Sequence, residues 1–208
     1  MANTTFKGTL RSEGGYSSRA TAAATGTETT QMSISSAGFT SLDANTLATE
    51  AGTGITGGTG TIYRSSVIRE GGIIKTSILI DLTGLRSTAN GDIIGVNGTS
   101  NVCHIGQITA ARNGTILAGR MTCFEAPAGG DPDINVHSAT EGTGVEDGAI
   151  ADLTETLLLN NGDATLGKVG IFEAVPAADE FLYLTLGATT DADYTAGKLL
   201  IELFGYEA

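Results

Sequence analysis

Large apolar side chains are sparse at the start of the chain and recur at short intervals after it. Residues 1 to 60 hold Phe6, Leu10, Ile34, Phe39, Leu42, Leu47 and Ile55, scattered among Ala, Thr, Ser and Gly. The stretches Ala20 to Ala24 and Leu42 to Ala51 allow a helical turn, but Thr and Gly interrupt both and neither sustains a 3.6-residue apolar stripe. So thin a supply cannot drive independent folding, and the segment reads as an arm ordered on a partner. From Thr61 onward, short apolar runs alternate with Gly-containing turns. In Ile73 to Leu82, Ile74, Thr76, Ile78, Ile80 and Leu82 share one face while Lys75, Ser77 and Asp81 take the other, the period-2 signature of a half-buried strand.

Asn113-Gly114 lies between GQITAAR and TILAGRMTCF. Asn-Gly tolerates the positive φ angles of a type I′ turn, which predicts a hairpin over about Val102 to Phe124. Further strands are predicted at Ile62 to Arg69, Lys168 to Val175, Phe181 to Leu186 and Lys198 to Tyr206. The last has apolar groups on both faces, as a central strand does. Asp152 to Leu159 starts with an Asp cap, which predicts a short helix, although its Thr-rich run suits a strand equally well. About eight strands at roughly ten-residue spacing predict an all-β fold, an antiparallel β-sandwich or jelly-roll-like body over residues 61 to 208. Residues 1 to 60 are then an extended, largely irregular N-terminal arm.

Composition supports that division. Trp is absent, aromatics make up 5 % and Gly numbers 30 in 208 residues, so the core is aliphatic and turns are frequent. A body of about 150 residues buries roughly 68 to 70 % of its unfolded surface, enough for a real core. Charge is segregated. Nine of the eleven Lys and Arg residues lie up to Arg120 and sixteen of the twenty-three Asp and Glu residues beyond it, giving +2 before that point and −14 after. This asymmetry suggests one end docked on something and the other held in water. A net charge of −12 argues against nucleic acid as a partner, because phosphate contacts need clustered cations. No stretch approaches the roughly 18 apolar residues of a membrane span, and the start lacks a signal-peptide pattern, so the chain reads as made in the cytoplasm.

Candidate chemistry is thin. Gly52, Gly54 and Gly57 satisfy G-x-G-x-x-G, but no apolar strand precedes them and a Gly/Thr run follows, so the motif reads as a flexible segment and not a dinucleotide site. Cys103, His104, Cys123 and His137 are the possible soft metal ligands. They lack paired spacing, and adjacent Cys103 and His104 point to opposite strand faces. Asp131, Asp133, Asp191 and Asp193 resemble oxygen-rich calcium loops without EF-hand spacing and read as solvated turns. Neither histidine has a nucleophile signature, so a small hydrolase is a minor alternative that would require both to converge with a carboxylate or thiol. No catalytic, cofactor-binding or metal residue is assigned. In the leading segment, Phe6 and Leu10 are positioned to bury on a partner while Lys7, Arg11 and Arg19 meet its carboxylates.

The segments TIYRSSVIREGGIIKTSILIDLTGL, GRMTCFEAPAGGDPDIN, SATEGTGVEDGAIADLTET, PAADEFLYLTLG and TAGKLLIELFGY resemble uncharacterised structural proteins of marine tailed phages. The resemblance covers some 150 residues from about Thr61 and carries no catalytic motif. It implies a virion structural protein, a head decoration or cement protein on the outer surface of the major capsid shell, bridging neighbouring capsomers. The expected partners are the major capsid protein and further copies of the chain, with a homotrimer at a local three-fold position the first expectation. A tail-associated or receptor-binding β-module is the alternative, from another class. No small-molecule substrate is implied.

Overall fold

The computed structural model describes residues 16–21, 28–35, 38–42 and 46–207. The chain divides into two compact units, residues 1–45 and 46–208. In the first unit β1 (Tyr16–Thr21), β2 (Glu28–Ser35) and β3 (Gly38–Leu42) form an antiparallel three-stranded sheet in that order, with a bulge between Ser18 and Arg19. The described part of the leading segment is therefore regular where an irregular arm was predicted. Thr and Ser are frequent in these strands, and β-branched Thr suits an extended backbone.

The unit boundary falls fifteen residues earlier than the composition shift suggested. Residues 46–60 belong to the body because Leu47 and Ile55 are buried in its core. The segment includes a single helical turn, α1 (Thr53–Thr56). Glycine lets it lie against the backbone of residues 101–104: the Gly52 and Gly54 N–H groups donate to the His104 and Val102 carbonyls at 2.9 Å. A Cβ on Gly54 would stand 2.3 Å from Cys103 Sγ, and one on Gly52 2.1 Å from the Val102 carbonyl oxygen. The G-x-G-x-x-G run is a packing slot.

The body is all-β and sandwich-like. Its larger sheet comprises β4 (Ile62–Glu70), β5 (Ile73–Asp81), β7 (Thr115–Ala128), β10 (Val169–Ile171) and β13 (Ala196–Tyr206), all antiparallel in the order β10-β7-β13-β5-β4. Gly71, at φ +63°, turns β4 into β5. As its doubly apolar pattern predicted, β13 is central, with Ile201 opposite Ile78 on one side and Met121 on the other. The second sheet has the order β11-β8-β9, from β8 (Ile134–Ala139), β9 (Glu155–Leu159) and β11 (Phe181–Leu186). A two-residue pair, β6 (Arg86–Ser87) with β12 (Ala192–Asp193), closes one loop. Ile74, Ile78, Ile80, Leu199, Ile201 and Leu203 from the large sheet share one buried cluster with Ile134, Val136, Leu182 and Leu184 from the small one. Burying each such side chain stabilises the fold by about 1.5 to 3 kcal/mol.

Two local expectations are corrected. Residues 102–113 do not form a hairpin with β7. Ala110–Asn113 is a helical turn, α2, and Gly114, at φ +67°, terminates it and admits β7. Asn113 is fully buried. Its Oδ1 accepts the Thr109 N–H at 2.9 Å and its Nδ2 donates to Thr76 Oγ1 at 2.8 Å, so the residue fastens a helical turn to β5. Asp152–Leu159 is likewise not a helix. A 3₁₀ turn at Ile150–Asp152 leads into β9, because the Thr-Leu run pairs with β8, Leu159 opposite Val136.

Candidate interaction surface

Strand alternation gives the large sheet two faces. The inward face is the core just described, and the outward face is built of rungs that the register defines. Ile171, Arg120, Glu202, Ser77 and Ser66 cross the sheet in one row; Val169, Thr122, Leu200, Leu79 and Arg64 cross it in the next. Among the described residues, eleven large apolar side chains are exposed, and eight of them belong to the strands of this one sheet. Ile62, Ile68, Ile73 and Tyr206 lie toward the β4/β5 edge, and Val169 and Ile171 on the opposite edge. Leu117 and Phe124 project at the points where β7 slips register against β13. Ile171 is 64 % exposed. Such a concentration on one face, unlike single scattered apolar residues, marks an interaction surface.

Between the apolar edges runs a stripe of ion pairs. Glu202, only 3 % exposed, accepts Arg120 Nε at 2.6 Å and pairs with Lys75 Nζ at 2.5 Å. Burial by itself would raise the Glu202 carboxyl, but the hydrogen bonds and charges of Lys75 and Arg120 together hold it below the usual carboxylate range. The Arg120 guanidinium also lies 5.8 Å from the centre of the Phe204 ring. Lys198 bridges Glu125 on β7 and Asp81 on β5, the latter at 3.4 Å. With Arg64 and Glu70 on the outward positions of β4, the face carries four cations and four carboxylates and so no net charge.

Ion pairs also join the two halves of the chain within the body. Arg69 pairs with Glu207, Lys75 and Arg120 with Glu202, and Arg86 with Asp191 at 2.7 Å and Asp193 at 3.1 Å. Each joins a cation of the leading half to a carboxylate of the trailing half. Strand pairing and loop contacts thus bring four cations of the leading half against carboxylates of the trailing half, while the acidic excess of the chain remains.

The residues singled out for chemistry lie elsewhere and apart. Phe6, Lys7, Leu10 and Arg11 are outside the described residues, and Arg19 sits on β1 opposite Thr30, beside the bulge. The two histidines lie on either side of Tyr183: His137 is its cross-strand partner, and His104 meets its ring edge-on at 6.5 Å and that of Phe181 at 4.9 Å. Both are buried, and desolvation lowers both pKa values, that of His137 to about 4. His137 Nδ1 is 3.0 Å from Thr185 Oγ1 and its Nε2 is 3.7 Å from Glu155 Oε2. Cys103 is fully buried and burial pushes its thiol up to about 12; burial also raises Cys123.

The acidic loops touch, with the Tyr194 hydroxyl donating to the Asp131 carbonyl at 2.8 Å and Thr190 hydrogen-bonded to the Asp131 carboxylate, but their four carboxylates do not gather into one site. Asp191 and Asp193 hold Arg86, whereas Asp131 Oδ1 accepts the Asp133 N–H at 3.0 Å within its own turn. Among the described residues no three His, Cys, Asp or Glu side chains stand together as metal ligands. Nor is any described helix long and apolar enough to cross a membrane. Comparison with family models, curated proteins and solved structures gives no match to this chain.

Proposed function

We propose that this chain is a virion structural protein, a head decoration or cement protein that binds the outer surface of a major capsid shell and bridges neighbouring capsomers. The observation that carries the reading is the outward face of the five-stranded sheet: a broad, charge-compensated surface with exposed Ile, Val and Phe at both edges, on a body whose thiols and imidazoles are packed inside. A protein with this role needs a stable β-body and large faces for its neighbours, and the aliphatic core supplies the first. Repetition on a lattice turns modest contacts into firm attachment through effective concentration. The leading unit, with Phe6, Lys7, Leu10, Arg11 and Arg19, is assigned to the shell.

The test is to mix purified full-length protein with undecorated heads, pellet the heads and count bound copies. Saturable binding in a fixed ratio to the capsid protein supports the reading. Binding that does not saturate, or none at micromolar concentration, refutes it.

A further inference from the structure

Folding accounts for the inward face of the large sheet and leaves the outward one open. Ile62, Ile68, Ile73, Val169, Ile171 and Tyr206 are exposed on it, with Leu117 and Phe124 at the bulges of β7, and they gain nothing for an isolated body. We propose that this face is the contact between two copies of the chain, stacked sheet on sheet about a two-fold axis.

Charge selects the occupant. Copies of a chain with net charge −12 repel one another over most of their surfaces. The outward face, with four cations and four carboxylates, is where two copies meet without that repulsion. Its central charges are also satisfied within the sheet: Glu202 by Lys75 and Arg120, Lys198 by Asp81 and Glu125. A partner of strong opposite charge would have nothing free to pair with along that stripe, whereas an identical face demands nothing from it.

Area and shape agree. Five strands about 4.8 Å apart and about nine residues long at about 3.4 Å each give a flat footprint of roughly 600 Å², more once side-chain relief is counted. A standard stable interface takes about 800 Å² per partner. Two such faces stack about 10 Å apart in the manner of any β-sandwich, with Ile and Val of one sheet filling gaps in the other. Because the same patch serves both copies, the contact is isologous and closes at two, in place of the three-fold arrangement expected from a capsid lattice. The inference takes the face on which the virion reading rests and names its occupant as a second copy, leaving the leading unit for the shell; sedimentation of purified protein tests the pairing, and binding to heads tests the attachment.

The experiment is sedimentation of the full chain. The mass should be twice 21.1 kDa at about 100 µM. Ile171→Asp and Ile68→Glu, at opposite edges of the face, should each weaken association by at least about tenfold with an unchanged far-ultraviolet circular dichroism spectrum. Leu157→Glu, on β9 of the other sheet, should leave the mass unchanged. At about 1 M salt the pair should persist or tighten, since screening removes the overall repulsion and not the apolar contact. A monomer at about 100 µM, a trimer mass, or a dimer indifferent to both substitutions overturns the proposal.

Discussion

Removing the charge of Glu202 tests the central stripe most directly. Glu202→Gln keeps the side-chain shape but leaves an amide where Lys75 Nζ and Arg120 Nε converge at 2.5 and 2.6 Å. One amide oxygen can still accept a bond; the NH₂ group then faces a cationic donor. Breaking a fully buried pair costs about 3 to 5 kcal/mol because a charge is stranded without water. In the separate chain the stranded cations are reachable by solvent, with Lys75 and Arg120 side chains 39 % and 42 % exposed, although the carboxylate between them is shielded. The cost falls to about 1 to 3 kcal/mol, above the 0 to 1 kcal/mol of an exposed pair. For a body of this size that lowers Tm by about 3 to 10 °C at neutral pH. The pH dependence follows from the carboxyl being held below its ordinary value in the fold. Its contribution is complete above the unfolded pKa, near 4.5, and is lost as pH falls through the folded one. Differential scanning calorimetry at neutral pH and at successive steps into acid reads both effects, with the variant converging on wild type as pH drops. A variant that melts with wild type at neutral pH, or that stays equally far below it in acid, refutes the reasoning.

Four further outcomes can be measured. Gly114→Val should destabilise the fold by about 2 kcal/mol or more and lower Tm accordingly, because φ is +67° and the new Cβ would meet the Tyr206 carbonyl oxygen at 2.2 Å; an unchanged melt would remove the turn assignment. Asn113→Ala should cost about 1 to 3 kcal/mol by orphaning the Thr109 N–H and the Thr76 hydroxyl inside the body, read by urea denaturation. His137 is neutral in the fold down to about pH 4, while the unfolded chain takes up a proton near 6.5. Stability should therefore fall between those values by on the order of 2 to 3 kcal/mol, a slope that His137→Gln should flatten. Native protein should resist an aromatic disulfide reagent at both Cys103 and Cys123 and react only on unfolding, since burial raises each thiol.

The strands were legible wherever alternation was clean. β4, β5, β11 and β13 fall within a residue or two of where apolar spacing puts them, because one face of each must enter a core. Asn113-Gly114 misled because Gly serves a helix terminus as readily as a hairpin, and what decides is whether the Asn side chain has a buried partner, here Thr76, distant in sequence. β9 was ambiguous for the same reason: its hydrogen bonds come from β8, and nothing local announces them. The boundary near residue 60 was misplaced because two anchors, Leu47 and Ile55, suffice when glycine allows backbones to touch. The interaction surface was half visible. Apolar groups on both faces of β13 marked it as central, and the body covers the face of Leu199, Ile201 and Leu203 while Leu200 and Phe204 stay half-buried on the other. The cross-strand ion pairs could not be read at all, since register across more than a hundred residues is set by tertiary pairing.

That long register governs how the molecule is born. β5 has β4 as a ready neighbour, but its other side waits for β13, with Ile78 answering to Ile201. A nascent chain emerging at about 5 to 20 residues per second exposes that half-finished edge for several seconds before the strand that closes it arrives. Closure is then a late, non-local event of the kind that makes β-proteins slow to fold. Until Glu202 is made, Lys75 and Arg120 lack the carboxylate that pairs with them in the finished sheet, and charged side chains on an open strand disfavour pairing with a stranger's edge. The ion stripe is therefore completed only when the last strand arrives.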